Sequence, residues 1–341
     1  MTGRGALTGP TAPVTVTVVR TDVAAPKAGP DPLARLAPEV SRAFSHLQAA
    51  VWAGSSPDRS DLVGRRVTQL LGGTTEDGTD PAGAPGIPNQ SGRQLSRWPD
   101  SPVFSEEERA CLAFVEQFVI DVAGVDDRLR RQLRAALGAD ELLEFVVALF
   151  ALDYGQRVAM VLGSLFPDEP VVGSGLDGPG PPAGTADGAA LLGAFDELSR
   201  AVARMDSLDP VTTELVRLRG ARQHDCRLCQ STRSARALEA GADEDLLDTT
   251  ERYETSDLVE SRKVALRLTD AVITQPGSVD GALAAQVHEW FTPPQVVELV
   301  MDVMRNSGQK IAVALAADDP HVTEGVERFE ITASGDVEYL G

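Results

Sequence analysis

ELVRLRGARQHDCRLCQSTRSARALEAG, residues 214–241, is the stretch whose reading decides the fold. Asp209-Pro210 just ahead of it supplies a capping carboxylate and a proline suited to the first helical position. A helix is therefore expected from Pro210 to about Arg222, then a short break at His224-Asp225 and a second helix opening near Cys226. A thiol at a helix N-terminus sits where the macrodipole and unpaired N–H groups favour an anion, so thiolate is available at neutral pH. Spacing of three puts Cys226 and Cys229 on one helical face, close enough for a local disulfide. Arg233, four residues beyond Cys229, then falls one turn further on, where its permanent charge stabilises the thiolate but cannot act as a base.

Outward from this segment, apolar residues recur at helical spacing, as in Leu112, Val115, Phe118 and Val119, or Leu266, Val272 and Ile273. A shift of 154 residues carries Leu112 to Leu266, Val125 to Val279, Asp126 to Asp280, Leu129 to Leu283 and Glu144 to Glu298 without a gap. Glu39-Val40-Ser41-Arg42-Ala43 answers Glu197-Leu198-Ser199-Arg200-Ala201, and Asp61-Leu62-Val63 answers Glu214-Leu215-Val216. Such self-similarity signals duplication. An all-α fold of two tandem helical units follows, 34–163 and 188–318, each of five or six helices and packed on one another as a pseudo-dimer. The first unit lacks the dithiol, because the positions answering it fall at Gly73 and in the Gly/Thr/Asp-rich stretch beyond.

Segments rich in Gly, Pro, Thr and Asp read as loop or disorder: 1–33, about 72–103, and a linker at 164–187. In the C-terminal tail, 319–341, Phe329–Thr332 and Val337–Leu340 flank Ser334-Gly335-Asp336, a hairpin signal. Pro13–Val19 alternates β-branched residues, so a small sheet joining the two chain ends is expected.

The chain has 341 residues, 43% of them hydrophobic, enough for a substantial core in each unit. With 51 acidic against 31 basic residues and a net charge of −20, it repels phosphate backbones and anionic membranes, which argues against nucleic-acid and membrane partners. Residues 1–30 carry no greasy run of roughly 7–15 residues of the kind that exports a chain. No stretch of about 18 consecutive apolar residues occurs either, so a cytoplasmic protein is expected. Three cysteines are too few for a disulfide scaffold.

The pattern of Glu214, eleven residues, Cys226-x-x-Cys229, then a run of small residues ending in Ala240-Gly241 resembles the active-site segment of the alkylhydroperoxidase D-like peroxidases, within the carboxymuconolactone decarboxylase family. Asp257–Asp270, and Glu106–Glu116 in the first unit, are similar to family segments as well; the resemblance spans most of both units and is weakest over 34–100. It implies that Cys229 is the thiolate oxidised by a hydroperoxide, Cys226 the proton donor and resolving thiol, and Glu214 part of a proton relay. It implies no metal or organic cofactor, a hydroperoxide or disulfide as substrate, and an external dithiol or lipoamide-type partner as reductant. Single-unit members assemble into rings, so a homo-oligomer, a dimer or trimer, is expected of a fused double unit. One position departs from the pattern. The family places a His four residues after the second Cys, where this chain has Arg233; a His passes protons near neutral pH and an Arg does not. His224, two residues before Cys226, is the candidate substitute.

Blander readings compete. Glu214 in a first turn is where acids cap helices anyway, Arg233 can be a solvated helix residue, and Cys111 reads as core. A zinc site would need about four ligands, and only His224 is near. Asp61 and His46 are the candidates for a second site in the first unit, while His288 and His321 read as structural. Three functions remain: a thiol-dependent, peroxidase-like oxidoreductase; a non-catalytic redox-sensing or binding protein on the same fold; and a lactone decarboxylase that does not use the cysteines.

Overall fold

The computed structural model describes residues 31–53, 56–72, 94–171 and 188–340. Helices α1 (Pro32–Leu36), α2 (Pro38–Ala53) and α3 (Pro57–Leu70) are followed by α4 (Glu106–Ile120) and α5 (Asp127–Leu165). The second half holds α6 (Gly188–Ala203), α7 (Pro210–Gln223), α8 (Arg227–Gln230), α9 (Ala235–Glu239), α10 (Glu244–Asp248), α11 (Glu260–Thr274), α12 (Gly281–Trp290), α13 (Pro293–Ser307) and α14 (Lys310–Ala314). The fold is all-α with one small sheet.

Local chemistry accounts for the starts of these helices. Ser105 and Glu108 close a capping box on α4, and Thr292 with Gln295 does so on α13, each satisfying two otherwise orphaned groups. Asp126, Asp209 and Asp280 accept from N–H groups of α5, α7 and α12. Helix α5 is 39 residues long and broken by Gly138, at φ 81°, a conformation that glycine adopts without a side-chain penalty. The part of α5 that answers α13 therefore starts at this kink.

Helices α4 and α11 begin and end 154 residues apart, and so do the 3-10 turns Val122–Gly124 and Pro276–Ser278 that follow them. Gly138 precedes Thr292 by the same interval, so the kink in α5 stands where α12 gives way to α13. Helix α2 lies along α6, and α7 packs between α11 and α13. One continuous core, with Leu47, Phe114, Phe118, Leu149, Leu198, Leu268 and Val300, runs through both halves.

At its centre lies a dry charge network. Arg157 Nε pairs with Asp153 at 2.6 Å, and Lys310 Nζ reaches the other Asp153 oxygen at 2.9 Å. The remaining Arg157 nitrogens donate to Val119 O at the end of α4 and to Val272 O and Ile273 O at the end of α11. All three side chains are at most 3% exposed. The network thus caps equivalent helices of both halves with one guanidinium.

The sheet orders β1 (Thr232–Ser234), β2 (Glu327–Ile331) and β3 (Val337–Leu340), with β1 parallel to β2 and β2 antiparallel to β3. The expected hairpin forms, but its described partner is the segment just after the dithiol; Pro13–Val19 lies outside the described residues. Gly335 in the hairpin turn sits against the backbone of Arg200, where any side chain would collide. Residues 94–103 are packed rather than loose: Leu95 and Trp98 join Leu62, Phe104 and Leu112 in a small cluster, and Trp98 Nε1 donates to Glu116 at 2.6 Å.

Removing one partner of a buried ion pair strands the rest without compensation. Arg157→Met is expected to lower the unfolding free energy by about 3–5 kcal/mol, read from the urea midpoint; a variant as stable as the parent would remove this network from its structural role.

Candidate active site

Helix α7 ends at His224, and Asp225, at φ 50°, turns the chain so that Cys226 N–H reaches back to Ala221 O at 2.9 Å. Cys226 is the N-cap of α8, and Cys226 and Cys229 form a disulfide across a Cα–Cα distance of 5.3 Å. Cys226 is fully buried and Cys229 is 8% exposed, so the second cysteine is the more accessible of the two. The helix N-terminus expected to stabilise a thiolate is short and already occupied. Helix α8 has only 4 residues, and its Arg227 and Leu228 N–H groups already donate to the Asp318 carboxylate and carbonyl, both at 2.9 Å. Its one remaining donor near sulfur, Cys229 N–H, points at Cys226 Sγ at 3.2 Å.

Arg233 also lies elsewhere than helical spacing places it. Helix α8 stops at Gln230, so Arg233 lies on β1, where it pairs with Glu244 at 2.8 Å and donates to Gln230 O and Thr232 O. It is neither a solvated helix residue nor the cation on the helix face beyond Cys229. That place belongs to Arg217, which donates to Cys229 O at 2.9 Å and Thr232 O at 2.7 Å and stacks over Phe329 of β2 at 5.2 Å. Glu214 is 2% exposed and grips Arg217 with both oxygens, at 2.7 and 2.8 Å, while accepting from Ser234 N–H. Asp209, not Glu214, caps the helix. Glu214 therefore acts on the dithiol segment through Arg217. The signal available in the sequence was the spacing of three between Glu214 and Arg217.

His224 is buried beside the dithiol. Its Nε2 lies 3.0 Å from Ser307 Oγ and 3.4 Å from Tyr154 OH. Burial, then the positive charges of Lys310 and Arg157, hold its pKa well below the usual imidazole value, so it is neutral at pH 7. Tyr154 and Ser307 come from α5 and α13 and carried no signal in the sequence.

Cys226 and Cys229 open onto a pocket of about 470 Å³ that also meets His224, Arg217, Arg305 and the hairpin. Behind Arg305 on α13, Asp302 is buried, its Oδ2 has no hydrogen-bond partner, and burial next to Glu298 pushes its pKa up to about 8.

The first-unit candidates are not assembled into a site. His46 pairs with Glu197 and Asp61 with Arg65, while the positions answering the cysteines lie outside the described residues. Cys111 is buried and its thiol is pushed up to about 12 by that burial, as fits a core residue. His288 Nε2 donates to Leu165 O, and His321 pairs with Glu327. Among the described residues no group of three or more His, Cys, Asp or Glu is disposed to hold a metal, and no helix is long and apolar enough to cross a membrane.

An all-α chain with a disulfide-forming Cys-x-x-Cys at the floor of a pocket defines a class of dithiol proteins. Residues 189–265 match the model of the carboxymuconolactone decarboxylase family. Two uncharacterized proteins of Mycobacterium tuberculosis, from strains CDC 1551 / Oshkosh and H37Rv, are each 41% identical over 238 residues, 70% of this chain and 81% of theirs. The chain belongs to the carboxymuconolactone decarboxylase family. No solved structure matches it significantly.

Asp302 makes stability depend on pH. The folded chain keeps a proton that an unfolded Asp loses near pH 3.8, so this residue's contribution falls as pH rises from there to about 8. Asp302→Asn removes that titration, and its thermal midpoint is expected to gain on the parent's steadily from pH 4 to pH 8; a constant difference would show that Asp302 is ionised throughout.

Proposed function

We propose that the chain is a thiol-dependent oxidoreductase that reduces an organic hydroperoxide, with Cys229 attacking and Cys226 resolving. The observation that carries this reading is the Cys226–Cys229 disulfide on the floor of the pocket, with Cys229 the more exposed sulfur. Membership of the family supports it.

In the first step the Cys229 thiolate attacks the distal peroxide oxygen and the O–O bond breaks. Cys226 gives its proton to the leaving alkoxide, so the products are a Cys229 sulfenic acid, an alcohol and a Cys226 thiolate. That thiolate then attacks the sulfenic sulfur, the S–O bond breaks, and hydroxide leaves and is protonated to water. An external dithiol reduces the disulfide and is itself oxidised. This sequence draws its proton from Cys226 and does not need the His that Arg233 replaces. Arg217, paired with Glu214 and bonded to Cys229 O, holds the backbone of the nucleophile in place. His224 stays neutral and orients the floor of the pocket through Ser307 and Tyr154; as a proton store it is unfavourable beside Lys310 and Arg157. Glu214 is on this reading a positioning residue rather than a relay carboxylate.

The same reading takes the halves as a duplication in which the first unit has become a cover for the second. The common 154-residue interval of their element bounds supports it. A homo-oligomeric, cytoplasmic protein is part of the proposal.

With the protein reduced, an organic hydroperoxide is expected to remove two hydrogens from the Cys226–Cys229 peptide, and a dithiol to restore them. Cys229→Ser should abolish turnover, whereas Cys226→Ser should accumulate a dimedone-reactive sulfenic acid at Cys229. Full activity in Cys229→Ser, or activity on a lactone in the double Cys→Ser protein, would overturn the assignment. Oxidation without turnover would make the dithiol a sensor. Glu214→Gln is expected to lower kcat about tenfold or more by releasing Arg217, with KM little changed; an unchanged kcat would remove Glu214 from the site's support.

A further inference from the structure

The pocket over the dithiol carries a positive group that the chemistry above does not use. Arg305 Nε donates to Ser199 O at 3.1 Å and Nη1 reaches only its neighbour Asn306 at 3.4 Å. Among the described residues no carboxylate stands within ion-pair distance of Arg305, in contrast to Arg217, which Glu214 neutralises. Most of the other described arginines hold a carboxylate. A guanidinium left without one in a half-closed site is a ready partner for an incoming anion, because it offers a planar fork of donors.

The rest of the pocket is apolar. Leu143 and Leu192 on one side and Val337 and Tyr339 of β3 on the other line it and stay more than a third exposed, although they are large hydrophobic side chains. Phe195 and Phe329 deepen the same surface. An exposed ring of this kind around an unpaired cation matches a ligand with one charged end and a greasy body. The charge count favours a monoanion. Of the two guanidiniums among the described pocket residues, Arg217 and Arg305, only Arg305 lacks a paired carboxylate, and a net charge of −20 on the chain repels multiply charged ligands.

We propose that this pocket is a subsite for amphipathic monocarboxylates, and that the substrate is an organic hydroperoxide whose carboxylate is held by Arg305 while its apolar body lies against the Leu143, Leu192, Val337 and Tyr339 rim above Cys229. The inference rests on the hydroperoxide reading of the dithiol and names the substrate class for it. The carboxylate takes no part in the electron transfer: the O–O bond breaks at Cys229 as before, and the product is the corresponding hydroxy acid. Burial keeps Asp302 protonated near neutral pH, so it does not cancel the charge of Arg305.

Two measurements separate the subsite from the chemistry. Octanoate and 1-octanol are titrated by calorimetry into the disulfide form of the full chain, where no turnover intervenes. Octanoate is expected to bind at least about tenfold more tightly, with Arg305→Gln erasing the difference and Arg305→Lys keeping part of it; circular dichroism confirms that the variants are folded. Linoleic acid hydroperoxide and its methyl ester are then compared as oxidants, and the acid is expected to show a KM at least about tenfold lower, a ratio that collapses in Arg305→Gln. Equal KM values with normal turnover would overturn the carboxylate subsite and leave the peroxidase reading intact. Octanoate binding that depends on Arg305, in a protein that reduces neither hydroperoxide, would keep the subsite and overturn the peroxidase reading. Equal binding of octanoate and octanol would overturn the subsite whatever the kinetics.

Discussion

The Asp153–Arg157–Lys310 network is the constraint on which the rest of the molecule depends. One guanidinium satisfies carbonyls at the ends of α4 and α11, and a carboxylate from the same helix α5 holds both it and the lysine of α14. A buried ion cluster contributes little net stability when compared with a well-packed apolar one, yet removing one member leaves the others uncompensated. It therefore acts as a register device, fixing how the two halves meet. Its positive excess also acts at a distance, since burial first, and then the lysine and arginine, depress the basicity of His224 beside the dithiol. Lys310 itself is pushed down to about 8 by burial, opposed by Asp153.

From that centre the site is assembled in layers. The α7–α8 turn places the disulfide, with Asp225 in a left-handed conformation at the bend. The Glu214–Arg217 pair then ties α7 to the Cys229–Thr232 segment and to Phe329 of the C-terminal hairpin. Arg227 and Asp318 tie α8 to the residues that follow α14. The hairpin is thus part of the pocket wall rather than a free tail, and β1 exists because Thr232–Ser234 leaves the helix early enough to pair with it. Arg233 is absorbed by that strand and by Glu244. The position where the family carries a histidine has become structural.

Much was determined by the sequence alone. Periodicity gave the all-α class, the capping residue Asp209 marked a true helix start, and Cys-x-x-Cys after Glu214 marked the segment where the disulfide forms. These signals are local: a cap, a spacing or an amphipathic stripe is written in residues a few places apart, so it can be read without the fold. The 154-residue shift was legible too, and the helix bounds keep it.

What tertiary structure alone decided are the contacts between residues distant in the chain. Helix α8 ends after Gln230 because the next residues gain more by pairing with β2 than by continuing a helix, which moves Arg233 off the face assigned to it. Arg217 takes the place beside Cys229, His224 finds Ser307 83 residues and Tyr154 70 residues away, and Arg305 meets no carboxylate among the described residues within a pocket shared with Leu143 and Tyr339. Neither propensity nor spacing encodes such meetings; they follow from which buried polar groups can be satisfied once the two halves have closed on one core.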